Sequence, residues 1–128
     1  MEFDGTVLIV DDEPHIRKYI GLIIQKLGTP TIIEAANGAE AVAAYAQHQP
    51  DLVLMDVNMP VMDGLQALER ITLAHPDALV VMLTSLATRN VVERCVELGA
   101  VNFVRKDTPK ETMTQVLSET IAEYFTAD

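Results

Sequence analysis

Five short apolar runs, each followed by a stretch with helical spacing, limit this chain to very few architectures. "TVLIV" (6–10), "TIIEA" (31–35), "LVLM" (52–55), "LVVML" (79–83) and "VNFV" (101–104) have the length of strands. Most are apolar throughout rather than alternating, as in strands of a parallel sheet covered on both faces. Between them, Ile16, Ile20, Ile23, Ile24 and Leu27 fall on one helical face. Pro14 suits the first turn of that helix and Gly28 its end. Asn37 with Glu40 predicts a cap for a second helix, whose Val42, Tyr45 and Ala46 point one way. Asp63 with Gln66 opens a third. Thr88 caps a fourth, which Gly99 ends. "TPKE" (108–111) combines a Thr108 cap, Pro109 at the first helical position and a reciprocal Glu111. Met113, Val116, Leu117, Ile121 and Tyr124 then form the apolar stripe of a fifth helix.

Short connections between parallel strands demand right-handed crossovers through helices. The expectation is an open α/β sheet of five strands with five helices on both faces, a single domain over residues 1–128. In such sheets ligands bind at the carboxyl ends of the strands, near a switch in strand order. A chain of 128 residues, 49% of them apolar, has the material for one core. Cys95 is the one cysteine, so no internal disulfide forms, and cytoplasmic residence is expected. No apolar run approaches the roughly 18 residues of a membrane span. The start, "MEFDGTVLIV", has acids where a signal peptide has bases. A net charge of −10 without a basic stripe argues against direct nucleic-acid binding. It leaves basic proteins and divalent cations as partners. Only "TAD" follows Phe125, so no output domain is expected after the fifth helix.

The residues at the strand ends carry the chemistry. The first strand ends in Asp11, Asp12 and Glu13, the third in Asp56, the fourth in Thr84 and Ser85, and the fifth near Lys106. In a parallel sheet all of these emerge on one edge. Carboxylates gathered there repel one another unless a cation intervenes. Mg²⁺ answers that problem, since it takes oxygen ligands in an octahedron and keeps several waters. A carboxylate is also a competent nucleophile toward phosphorus. A metal and a lysine ammonium would neutralise the transferring group, and a threonine hydroxyl can bond to its oxygens.

"LIVDDE" (8–13), "LVLMDVNMPVMDG" (52–64), "VVMLTS" (80–85) and "FVRK" (103–106) together resemble the four signatures of response-regulator receiver domains, in order and over essentially the whole chain. The resemblance implies a flavodoxin-like, doubly wound sheet with strand order 2-1-3-4-5. It makes Asp56 the phosphoacceptor, with Asp11 and Asp12 as the acidic pair for Mg²⁺ and Asn58 as the backbone-carbonyl ligand. Thr84 matches the switch hydroxyl, Lys106 the phosphoryl-binding lysine and Phe103 the switch aromatic. It further implies phosphate arriving from a histidine kinase or phosphotransfer protein. Output would be to a downstream target through the surface of helix 4, strand 5 and helix 5. His15 and Tyr19, on the first helix beside the acids, are candidates for kinase docking, and Asn58 and Leu86 for setting the phosphate's lifetime.

One position departs from the family. Family members usually carry a cis proline after the lysine, whereas this chain has Asp107. A cis bond before a non-proline residue costs about 2.5–4 kcal/mol. Plainer readings exist for single residues. Alone, Asp11 and Asp12 suit a helix N-terminus, Lys106 a solvated surface, Thr84 a strand end and Phe103 a core. Cys95 reads as a small buried apolar residue, the methionines as core filling, and His15, His48 and His75 as separate surface groups. Two rival functions follow. A Mg²⁺-dependent aspartyl-phosphate phosphatase would need a second acid where Asn58 stands. A degenerate receiver that only binds partners would draw on Asp107.

Overall fold

The computed structural model describes residues 3–85 and 88–125. Leu86 lies outside them. Strands β1 (Thr6–Val10), β2 (Thr31–Ala35), β3 (Leu52–Asp56), β4 (Val80–Thr84) and β5 (Asn102–Arg105) alternate with helices α1 (Pro14–Gln25), α2 (Gly38–His48), α3 (Gly64–Ala74), α4 (Arg89–Glu97) and α5 (Lys110–Tyr124). The strands form one parallel sheet in the order β2-β1-β3-β4-β5, as expected.

The uniformly apolar runs have a direct explanation. Successive side chains of a strand point to opposite faces, and here both faces are covered. Leu8, Val10, Val53, Met55, Val80 and Met82 pack with Ala41, Tyr45, Leu68, Ile71 and Cys95 from α2, α3 and α4. The alternate residues Val7, Ile9, Leu52, Leu54, Val81 and Leu83 pack with Ile20, Ile23, Ile24, Met113, Leu117 and Ile121 from α1 and α5. Each fully buried Leu or Ile contributes about 1.5–3 kcal/mol of transfer free energy.

Three helix starts form as predicted. Asn37 accepts from the Glu40 N–H at 2.9 Å. Asp63 and Gln66 bond reciprocally at 2.8 and 3.2 Å. Thr88 accepts from the Val91 N–H at 3.3 Å. Pro14 sits at the start of α1, and Gly99, with φ +99°, ends α4.

The fifth start differs. Thr108 does not cap α5; Pro109 takes that place in an extended conformation (ψ 144°), and the helix begins at Lys110. Thr108 is instead used in a turn, its N–H donating to the Arg105 carbonyl at 3.1 Å. Tyr124 is exposed, and buried Thr120 joins the inner face of α5, because Asn102 of β5 donates to its hydroxyl at 2.9 Å. In α2 the buried face is Gly38, Ala41 and Tyr45, which turns Ala46 outward. His75 is half-buried, its ring 4.8 Å from that of Tyr45. Strands β4 and β5 run one residue later than their apolar runs, and β3 extends to take in Asp56. No peptide bond among the described residues is cis, so the Lys106–Asp107 bond is trans. No described helix is long and apolar enough to cross a membrane.

Candidate functional site

Register places the polar strand ends together. Val10 pairs with Met55, Asp56 with Leu83, and Thr84 with Arg105. The next residues of β1 and β5, Asp11 and Lys106, therefore leave the sheet on the edge where Asp56 and Thr84 lie. Asp11 continues the ladder through its N–H to the Ala35 carbonyl at 3.1 Å, and Lys106 donates from its N–H to the Thr84 carbonyl at 2.8 Å.

Carboxylate oxygens of Asp11, Asp12 and Asp56 lie within 4.8 Å of one another. Asp11 and Asp56 are 1% and 3% exposed, whereas Asp12 faces solvent. The Lys106 ammonium, on a side chain only 16% exposed, reaches across to both buried acids. Its Nζ lies 2.6 Å from Asp11 Oδ2 and 3.0 Å from Asp56 Oδ2. Burial raises the pKa of Asp56 and the neighbouring Asp11 charge adds to this, while Lys106 and the Asn58 N–H pull it down; the net direction is up. Burial works to lower the pKa of Lys106, but its two carboxylate partners outweigh this and hold it above the usual lysine value.

The other oxygens are held by backbone. Asp11 Oδ1 accepts from the Glu13 N–H at 2.9 Å, and Asp56 Oδ1 from the Asn58 N–H at a long 3.4 Å. Asp11 Oδ2 is fully buried, with the Lys106 ammonium at 2.6 Å as its close partner. Three carboxylates so close together, two of them buried, form an all-oxygen donor set that fits a hard divalent cation of the Mg²⁺ type.

Thr84 is fully buried at the end of β4. Asn58 is exposed in the loop after β3. Phe103 is half-buried and packs on the core beneath α2, α3 and α4. His15 is exposed and lies 3.1 Å from Glu13, while half-buried Tyr19 packs toward the α1–α5 core. The structure thus joins Asp11, Asp12, Asp56 and Lys106 into one cluster. Neither His15 nor Tyr19 makes an ion pair or hydrogen bond with these acids.

The loop after Asp56 closes tightly. Gly64 donates to the Val57 carbonyl at 2.7 Å, and a Cβ on Gly64 would stand 1.9 Å from the Asp56 carbonyl oxygen. Glycine is required there by space rather than by φ. Val61, in the same loop, adopts φ +68° and is 84% exposed.

Two further features escape the sequence reading. Arg17 donates from Nη1 to the Asp11 carbonyl at 2.7 Å and from Nε to Glu34 at 2.8 Å. Its position one turn into α1, behind the acidic pair, was the available signal. Arg105 pairs with Asp107 through Nε–Oδ1 at 2.9 Å and Nη2–Oδ2 at 2.8 Å. Its signal was a cation two residues before the unexpected acid.

Comparison with known proteins agrees with this geometry. Residues 7–118 match the model of the response regulator receiver domain family. The chain is 36% identical over 115 residues to the chemotaxis protein CheY of Bacillus subtilis, covering 90% of this chain and 96% of that protein. It is 42% identical over 102 residues to a protein-glutamate methylesterase/protein-glutamine glutaminase of Hahella chejuensis, covering 78% of this chain but 29% of that longer one. Among solved structures, a chain of the CheX–CheY–BeF₃–Mg²⁺ complex from Borrelia burgdorferi superposes with a TM-score of 0.85 at 33% identity, covering 91% of this chain and 88% of that one. The response regulator domain of Thermotoga maritima CheB does so with a TM-score of 0.85 at 28% identity, over 98% and 99% of the two chains. With the family match running from β1 into α5, the chain belongs to the response regulator receiver domains, signalling modules whose general role is that of phosphoacceptor.

Proposed function

We propose that this chain is a single receiver unit that accepts a phosphoryl group on Asp56. The observation that carries the reading is the Lys106 ammonium in contact with both Asp11 and Asp56, at 2.6 and 3.0 Å, on the ligand-binding edge of the sheet. Asp11, Asp12, Asp56 and the Asn58 carbonyl would hold Mg²⁺, which supplies charge neutralisation and orientation for the incoming phosphoryl oxygens when bound.

The chain's own residues do the rest. An Asp56 carboxylate oxygen attacks phosphorus. The bond from phosphorus to the donor nitrogen or oxygen breaks, and the leaving atom keeps the electron pair. Lys106 balances the charge on the transferred group, and the buried surroundings strengthen that contact. The Thr84 hydroxyl then moves to a phosphoryl oxygen and Phe103 fills the space it leaves. A population shift follows on the surface of α4, β5 and α5. That surface would be read by a downstream target protein. A histidine kinase or phosphotransfer protein would supply the phosphate, docking beside α1 at His15 and Tyr19. The setting is cytoplasmic.

Acetyl phosphate with Mg²⁺ tests the reading. One equivalent of phosphate is expected on the wild-type chain and none on Asp56→Asn. Labelling of Asp56→Asn at one equivalent would overturn it, and multiple-turnover release of phosphate from simple esters would point to a phosphatase instead.

A further inference from the structure

The acid that follows Lys106 sits where it could disable the site. Asp107 is one residue from the ammonium, and a third carboxylate there would compete with Asp11 and Asp56 for it. An unpaired carboxylate next to Lys106 in the chain would also add a negative charge that disfavours an anionic phosphodonor. Neither happens in the structure. Lys106 has ion contacts with Asp11 and Asp56 alone among the described residues. Both oxygens of Asp107 are taken by the guanidinium of Arg105, at 2.9 and 2.8 Å, in a bidentate fork. The geometry follows from spacing, since residues 105 and 107 flank Lys106 and lie two apart, while Lys106 turns toward the acids.

We propose that Arg105 is a positioning residue that insulates the site from Asp107, leaving the Lys106 ammonium to Asp11 and Asp56 and neutralising a negative charge next to Lys106 in the chain. The functional half of this rests on the phosphoacceptor reading above; the structural half does not. The pair is largely exposed, more than half of each side chain reaching solvent. Exposed pairs add little to fold stability, so its substitution leaves a folded chain. The Asp107 carboxyl is held below its usual pKa by that guanidinium, consistent with a saturated partner.

Two measurements test the proposal. The first needs no phosphoryl transfer. Nitrogen-15 spectra of the lysine ammonium groups report which carboxylates Lys106 bonds to. Asp11 and Asp56 are expected in the wild type, and Asp107 is expected to join them in Arg105→Gln. The second is the rate of phosphorylation by acetyl phosphate. Arg105→Gln should slow it on the order of threefold to tenfold at low salt, as a Coulomb interaction near the surface allows. The deficit should shrink once the Debye length falls to about 10 Å or less, near 0.1 M salt. Asp107→Asn, which leaves the guanidinium unopposed, should be no slower than wild type, and Arg105→Gln with Asp107→Asn should recover the wild-type rate.

A purely structural fork gives the opposite pattern, with Asp107→Asn as slow as Arg105→Gln, no recovery in the double variant and no salt dependence. Any of these, or an ammonium that ignores Asp107 in Arg105→Gln, overturns the proposal. A wild-type chain that takes no phosphate while the ammonium shifts to Asp107 in Arg105→Gln would refute the phosphoacceptor reading and support the insulation.

Discussion

Arg17 donates from Nη1 to the backbone carbonyl of Asp11 at 2.7 Å, so a side chain of α1 holds the strand end that precedes it. Its Nε bond to Glu34 at 2.8 Å ties the same guanidinium to β2. Groups that orient metal ligands from behind commonly change affinity by about 10–100-fold when lost. Arg17→Ala should weaken Mg²⁺ binding about tenfold with the far-ultraviolet spectrum unchanged. Arg17→Lys should recover only part of this, because an ammonium cannot bridge the two acceptors with a planar fork. Titration calorimetry gives the answer, and an unchanged dissociation constant would show that Asp11 is held without Arg17.

Gly64 is predicted to tolerate no side chain. Its missing Cβ would meet the Asp56 carbonyl oxygen at 1.9 Å, and that atom is backbone. Gly64→Ala must therefore move the acceptor loop. Forced overpacking costs about 1–3 kcal/mol, occasionally more, and the upper part of that range is expected in urea denaturation. A loss under about 0.5 kcal/mol, within the range of ordinary surface substitutions, would contradict the clash.

Val61 is predicted to be a site of gain. A β-branched residue at φ +68° is strained, and its side chain is 84% exposed, so packing returns little. Asparagine tolerates that conformation better. Val61→Asn should raise stability by about 1 kcal/mol, seen as a higher urea midpoint with an unchanged slope.

Magnesium affinity should fall with acidity earlier than for a free aspartate. Metal binding requires the deprotonated carboxylate. Burial raises the pKa of Asp56, so its proton returns at a higher pH than usual as the solution is acidified. Below that raised value each pH unit should weaken binding about tenfold for a single competing proton. Calorimetry in buffers of different ionisation heat should show proton release on binding in that window. A dissociation constant that stays flat down to about pH 4, the value for an unperturbed aspartate, would show that Asp56 is not the ligand that titrates.

The sheet was legible because its strands are buried on both faces, and residues such as Leu8 and Ile9 or Val53 and Leu54 must then all be apolar. Strand order and the shared edge of Asp11, Asp56, Thr84 and Lys106 followed from parallel connection and from the resemblance. Strand ends were not legible to the residue, since backbone bonding rather than hydrophobicity ends β3 at Asp56 and β5 at Arg105. Thr108 falls one residue short of the cap position because Pro109 stays extended and α5 begins only at Lys110. Thr120 was missed as an inner residue because its partner, Asn102, comes from a distant strand. Arg17 and the Arg105–Asp107 fork depend on where long side chains come to rest, which no periodicity encodes.

The reach of Lys106 to two buried acids means that this pocket carries its own tethered counterion. A polypeptide so equipped need not wait for a cation before gathering these acids, and a magnesium ion would enter a cavity whose charge is already partly balanced. Withdrawal of such an ion would then leave the fold standing, because the ammonium stays behind.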